Sequence, residues 1–363
     1  MNSHILSLSC LSPDAFFSQQ DIANTFENSL NLSAENSKKL QLIFEHSKIK
    51  KRHSVISDYE QDTLKGSFFG DHFPDVIPDT LKRNKIYMEK APQMASNACK
   101  QAIEMWGRDP NQITHVISVS CTGMYAPGIE FGLIESLGLN PSVERLGINF
   151  MGCFGAFKGL AIAKALANEN LNNRILLVCT ELCSLHFQAD KTIENFVANA
   201  LFADGAAAAI IGCSLASNES SLFEIEKCSS LGLKETKDLM SWEISNTGML
   251  MKLSPKVPKV IGAHIASFVK NILPSHVSFS EVEWAIHPGG KAIVEAIETS
   301  LALTKEQTES SWDTLKNFGN MSSATFLFIL DHIQRKKTTF KSVIGLGFGP
   351  GLSMEAILLK ANP

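Results

Sequence analysis

The chain has 363 residues, 44% of them hydrophobic and 19% charged. That is a core-forming composition and excludes a disordered polypeptide. The formal net charge of -4 supplies no bulk attraction for nucleic acid or an anionic membrane surface, and the length suits two ordinary domains or one large layered one.

The opening MNSHILSLSC has no basic stretch followed by an apolar run, and no segment reaches the roughly 18 uninterrupted apolar residues that span a bilayer. A cytoplasmic protein with no membrane span is therefore expected. Its eight cysteines, Cys10, Cys99, Cys121, Cys153, Cys179, Cys183, Cys213 and Cys228, contain no CxxC pair. This argues against a zinc ribbon, an iron–sulfur cluster or a dithiol redox pair. Reduced thiols are the default in the cytoplasm, and most buried cysteines are small hydrophobes.

Residues 1–90 read as a short strand, Ile5–Leu8, followed by helices and loops. Within them Lys48, Lys50, Lys51 and Arg52 form a basic run, either solvated surface or a contact for an anionic substrate. Ala91, Ala95, Ala98, Ala102 and Met105 fall at helical spacing, and Gly107 ends the pattern. His115–Ser120 is a continuous β-type run. Gly147–Phe150 is strand-like, Phe154–Asn168 helix-like, and Arg174–Thr180 and Ala206–Gly212 are buried-strand patterns. After the polar stretch 214–221 the alternation resumes. Val282–Ile286 reads as strand, Ala292–Leu303 and Ser322–Ile333 as helices, and Ser342–Leu346 and Ser353–Leu359 as strands. Strands alternating with helices predict an α/β architecture. The polar seam divides it into halves of comparable size, 1–213 and 222–363.

Three residues stand where such folds place chemistry. Cys153, in NFMGCFGAF, follows a strand and a glycine turn and opens a helix, whose dipole favours thiolate. The competing reading is a structural thiol at a buried junction. His287, in WAIHPGGKAI, ends an apolar strand at the edge where α/β sheets bind ligands, or is simply satisfied by the turn. Asn320, in NFGNMSSATF, is a hydrogen-bond donor to a substrate or a plain helix cap. Taken together they supply a nucleophile and two donors for a developing oxyanion, at one site between two α/β units.

The phrases ITHVISVSCTG, INFMGCFGAF, ALFADGAAAAIIG, WAIHPGGKAI, NFGNMSSATFLFIL and GLGFGPGLSMEAILL, in this order, resemble the chalcone synthase-like family, the type III polyketide synthases of the thiolase superfamily. The resemblance implies a five-layered αβαβα fold in a homodimer, with Cys153 as nucleophile and acyl carrier and His287 and Asn320 as its partners. It implies iterative decarboxylative Claisen condensation of malonyl-CoA onto a starter acyl-CoA, giving a pyrone, resorcinol or other aromatic polyketide. A thiolate paired with imidazolium would attack the starter, and no metal or cofactor would be needed. Phe202 matches the family's gatekeeper phenylalanine, whose apolar face would favour loss of the carboxylate charge.

Gly289, Gly290 and Ala292 match the segment along the CoA arm, and Ser322 and Pro350 match cavity positions. Lys39 corresponds to one basic CoA contact, but Leu42 and His46 stand where others are common, which shifts the phosphates toward Lys48, Lys50, Lys51 or Arg52. Trp242 falls where plant members have a cavity glycine, and Met251 where they have a phenylalanine. Cys183 and His186 replace cavity threonines. Cys121 takes a position that is threonine in plant members and cysteine in several bacterial ones, which suggests a bacterial-type member. Ala126 replaces the methionine that reaches across the plant dimer. The alternatives are a ketoacyl synthase III-like enzyme performing one condensation, a catalytically silent acyl-CoA-binding homologue, and, remotely, a cysteine protease.

Overall fold

Apolar runs bounded by turns become strands buried on both faces. The computed structural model describes residues 2–213, 219–336 and 340–361; residues 214–218 of the polar seam lie outside them. The chain begins with β1 (Ser3–Leu11), β2 (Phe16–Ser18), α1 (Gln19–Ser29), α2 (Ala34–His46), β3 (Lys51–His53) and α3 (Thr80–Trp106). Then follow β4 (His115–Ser120), α4 (Ile129–Leu137), β5 (Glu144–Asn149), α5 (Gly155–Glu169), β6 (Arg174–Leu182), α6 (Ile193–Leu201) and β7 (Asp204–Gly212). Beyond the seam come β8 (Phe223–Gly232), β9 (Met240–Ser245), β10 (Gly248–Leu253), α7 (Val257–Lys270), β11 (Val282–Ile286), α8 (Lys291–Leu301), α9 (Lys305–Phe318), α10 (Thr325–Lys336), β12 (Ser342–Gly349) and β13 (Ser353–Ala361).

Nine strands are hydrogen-bonded in the order β11-β12-β13-β8-β1-β7-β6-β4-β5. Among the described strands its two wings are joined where Ser3–Ile5 pair antiparallel with Phe223–Ile225. Alternate residues of each strand face different cores. Leu176 and Val178 of β6 join α3 in one outer core, whereas Ile175, Leu177 and Cys179 face a central core. That central core holds α5 and α10 between the wings, together with Val343 and Ile357 of the second wing. On the far side Ile344, Leu346 and Trp284 pack against α7 and α8. The layers are therefore helix, sheet, helix, sheet, helix, as the resemblance implies. Phe157 of α5 and Phe326 of α10 stack in the middle with ring centroids 4.1 Å apart. A Cβ at Gly347 would lie 2.5 Å from Phe157, so the glycine lets β12 approach these rings.

The strand runs His115–Ser120 and Val282–Ile286 match β4 and β11 end to end. The helix expected from Ala91 starts earlier, at Thr80, because the Asp79 carboxylate accepts from the Lys82 N–H at 2.7 Å and caps it there. The helix read from Phe154 begins one residue later, at Gly155, and the one read from Ser322 begins three residues later, at Thr325, since Gly152–Phe154 and Ser322–Ala324 are tight 3-10 turns ahead of α5 and α10. The sequence reading assigned no element to β8, β9, β10 or α7. Strands β8, β9 and β10 are only partly buried, and their apolar residues do not form a run bounded by turn residues on both faces.

Candidate active site

Cys153 sits in the 3-10 turn between β5 and α5. The chain reaches it through left-handed backbone at Phe150 (φ 58°) and Gly152 (φ 74°). A Cβ at Gly152 would come 2.6 Å from Pro350 Cδ, so glycine is required both by conformation and by space. The thiol is 9% exposed. Asn320 approaches it from the other half of the chain, with Oδ1 and Nδ2 each 4.0 Å from Sγ. The Ser322 N–H donates to Asn320 Oδ1 at 2.9 Å, which holds the amide with Nδ2 free to donate. The Asn320 backbone is bridged to Phe202 in parallel pairing, and the Arg52 Nη1–H donates to the Phe202 carbonyl at 2.6 Å.

His287 lies at the carboxyl end of β11, fully buried. Its backbone N–H donates to Leu346 of β12, and the far end of β12 packs on the Cys153 turn, where a Cβ at Gly349 would meet Phe154. Neither ring nitrogen of His287 has a partner among the described residues.

A cavity of about 20 Å³ beside Cys153 is lined by Cys121, Cys183, Phe202, Trp242, Met251, Ser322 and Pro350. Seven expected cavity residues are thus gathered around the expected nucleophile. His186 is placed differently. It lines a neighbouring cavity, with Nε2 on the Thr122 carbonyl at 2.7 Å and Nδ1 accepting from the Met249 N–H at 3.1 Å. Both nitrogens are spent on backbone, and burial lowers its pKa to about 4.

Gly289, Gly290 and Ala292 line a groove of about 750 Å³ with Leu42, Val197, Pro258 and Lys291. Lys39 lies outside that lining and is ion-paired with Glu35. Arg52 is corrected as a phosphate contact. It is buried, and its Nε–H donates to Gln19 while its Nη1–H reaches Phe202. Lys51 lies over the Phe16 ring at 4.5 Å.

The electrostatics also differ from the expected thiolate–imidazolium pair. Burial pushes the Cys153 thiol up to about 11, against lowering hydrogen bonds from Ser322 and Asn320. Burial also pushes His287 down to about 3. Both groups therefore rest neutral at pH 7. With the thiol pKa above the working range, the thiolate fraction grows about tenfold per pH unit. Alkylation of Cys153 by iodoacetamide should accordingly rise about tenfold per unit from pH 7 to 9, measured on the Cys153 peptide by mass spectrometry. A rate that is flat from pH 6 to 8 would show the ion pair instead.

One residue of the site escaped the sequence reading. Glu181, fully buried at the end of β6, accepts from the Cys121 N–H at 2.9 Å, the Thr122 hydroxyl at 2.9 Å and the Ser323 hydroxyl at 2.5 Å. It ties the Cys121 loop to the turn after Asn320. The signal was a carboxylate inside the apolar run LLVCTEL, since a buried charge needs such partners.

A thiol beneath an apolar pocket, an amide at its side and a groove lined by paired glycines form a candidate acyl-transfer site on a thiolase-like fold. Comparison with known proteins agrees. Residues 2–214 match the family description "Chalcone and stilbene synthases, N-terminal domain", and residues 224–363 match its C-terminal counterpart. "Probable polyketide synthase 1" of Dictyostelium discoideum is 37% identical over 99% of this chain, which spans 11% of that protein. "Type III polyketide synthase C" of Arabidopsis thaliana is 32% identical, covering 98% of this chain and 94% of that one. The crystal structure of the C-terminal type III polyketide synthase domain of "Steely1", a type I/III hybrid from Dictyostelium, superposes with a TM-score of 0.94 at 36% identity, covering 99% of both chains. A polyketide synthase from the brown alga Ectocarpus siliculosus does so with a TM-score of 0.92 at 27% identity, covering 99% of this chain and 98% of that one. The chain belongs to the chalcone and stilbene synthase family, the type III polyketide synthases.

Proposed function

We propose that this enzyme extends a starter acyl-CoA with malonyl-CoA by decarboxylative Claisen condensation, holding the growing chain on Cys153. The observation that carries the reading is the meeting of the Cys153 thiol and the Asn320 amide, 167 positions apart in sequence, where the thiol lines an apolar cavity. The pantetheine arm would lie in the groove past Gly289, Gly290 and Ala292. As Sγ attacks the starter thioester, neutral His287 has an open ring nitrogen to take the thiol proton, and the departing CoA sulfur takes it back. Malonyl-CoA then loses CO₂ against the apolar ring of Phe202, and the resulting enolate oxygen is met by the Asn320 Nδ2–H and the His287 ring N–H. The carbanion attacks the Cys153 thioester, and Cys153 leaves as the new carbon–carbon bond forms. Decarboxylation supplies the carbanion, so no strong base is required.

The same reading takes residues 1–213 and 222–363 as two related halves sharing this site. It makes the enzyme a cytoplasmic homodimer that needs no cofactor. The exposed edge strand β5, with its exposed Leu146, and the exposed Phe131 of α4 support a second copy there.

Incubation with acyl-CoA should add one acyl mass to the protein, mapped to Cys153, and further malonyl-CoA should release products one or more two-carbon units longer. An acyl mass that persists in Cys153→Ala would overturn the reading. Products that stop at one extension, or require malonyl-carrier protein, would support the single-condensation alternative.

A further inference from the structure

Residues 50–53 run under the turn that carries Asn320. The Lys50 N–H donates to the Lys316 carbonyl near the end of α9 at 2.7 Å, and the His53 ring stacks on Phe318 with centroids 5.6 Å apart. Between these two ties the stem of Arg52 lies against Gly319. A Cβ at Gly319 would come 3.0 Å from Arg52 Cγ and 3.0 Å from the Leu201 carbonyl oxygen, on a residue whose φ is 73°. Glycine therefore lets the turn settle onto both. Asn320 is the next residue.

The head of Arg52 meets the same assembly at a second point. Asn320 is fixed to the end of α6 by two backbone bonds. Its N–H donates to the Leu201 carbonyl and its carbonyl accepts from the Ala203 N–H, both at 2.9 Å. The polar groups of Phe202, the residue between, point away from this bridge. The Phe202 N–H returns to Ala198 of α6 at 3.2 Å, and its carbonyl accepts from the Arg52 Nη1–H at 2.6 Å. Arg52 is itself aimed, because its Nε–H donates to Gln19 Oε1 at 2.9 Å. The Gln19 amide in turn donates to the Ala200 carbonyl at 2.7 Å and the Ser47 hydroxyl at 3.0 Å. Burial lowers the Arg52 pKa only to about 10, so the group is charged at pH 7. Hydrogen bonds from such a cation are short and strong.

We propose that Arg52 is a positioning residue for the reaction. It sets where the Asn320 amide stands against Cys153, holding the Phe202 carbonyl with its head and Gly319 with its stem. The route runs from the guanidinium to the Phe202 carbonyl, across the Phe202–Asn320 bridge, to an amide 4.0 Å from Sγ. A donor to a developing enolate must be placed closely, and a displacement near 1 Å costs about 10²-fold. The planar fork suits the task, since Nε and Nη1 reach two acceptors at a fixed angle and a lysine offers one nitrogen. The proposal rests on Asn320 stabilising the malonyl enolate.

The test is release of labelled CO₂ from malonyl-CoA, expressed per Cys153 that accepts an acyl group, on protein whose folding is checked by its melting transition. Arg52→Met keeps an apolar stem and removes the fork. It should lower kcat for CO₂ release about 10²-fold. KM for malonyl-CoA should change by less than about threefold, because the groove glycines Gly289 and Gly290 lie on a different turn. Asn320→Ala alone should lose about 10²–10³. Arg52→Met added to it should lose no more than about a further threefold, since a residue acting through another is not additive with it. Losses that multiply in the double variant, or a folded Arg52→Met close to wild type, overturn the proposal. If Arg52→Met does not fold, Arg52→Lys carries the same cycle with an expected loss of about tenfold, since the cation remains and the fork does not. Wild-type decarboxylation in Asn320→Ala would overturn the enolate reading, and this proposal with it.

Discussion

Asn320→Ala and His287→Ala should each lower malonyl-CoA decarboxylation by about 10²–10³, the usual loss on deleting one oxyanion donor. The geometry behind the first is direct. Asn320 Oδ1 is occupied by the Ser322 N–H, so Nδ2 is left to donate toward Cys153 Sγ at 4.0 Å. Alanine removes that donor and leaves the Phe202–Asn320 backbone bridge in place, so the position of Phe202 should be retained. For His287 the reason is its isolation. A fully buried imidazole whose nitrogens meet no partner among the described residues leaves both open to a group that enters. Release of labelled CO₂ from malonyl-CoA measures both. Decarboxylation within threefold of wild type in either variant would withdraw that residue from the enolate-stabilising role.

Gly152→Ala should cost about 10²-fold or more in kcat/KM for starter loading while the protein still folds. A methyl at this position would sit 2.6 Å from the Pro350 ring on a residue whose φ is 74°, and both strains fall on the turn that carries Cys153. Relief requires the turn or the β12–β13 corner to shift, and a displacement near 1 Å at a reacting atom costs about 10²-fold. Small-to-large strain of this kind usually costs about 1–3 kcal/mol in stability, so the melting temperature should fall by only several degrees. Wild-type loading in this variant would show that the turn tolerates movement.

Strands β4 and β11 were readable to the residue because parallel strands covered on both faces are short runs rich in β-branched and apolar residues. The ribbon β9–β10 has no such signature, since its residues are half in solvent, yet it carries Trp242. The basic run at 48–52 shows the reverse failure. Its composition suggests a solvated or phosphate-binding surface, but Arg52 points inward and holds the Phe202 carbonyl. Adjacent residues of a short strand face opposite sides, and only the neighbours decide which side is interior. The same applies to His186, which sequence places at the cavity and the fold assigns to two backbone groups.

The sequence by itself determined the α/β alternation and the three turn positions that bear Cys153, His287 and Asn320. Glycine, apolar runs and capping residues act within a few positions and leave local marks. The tertiary structure alone decided that Cys153 and Asn320 meet, that Glu181 ties two loops behind them, that both members of the expected ion pair rest neutral, and that Trp242 lines the cavity beside Cys153. Those properties depend on burial and on contacts across more than a hundred residues, and no local pattern encodes them.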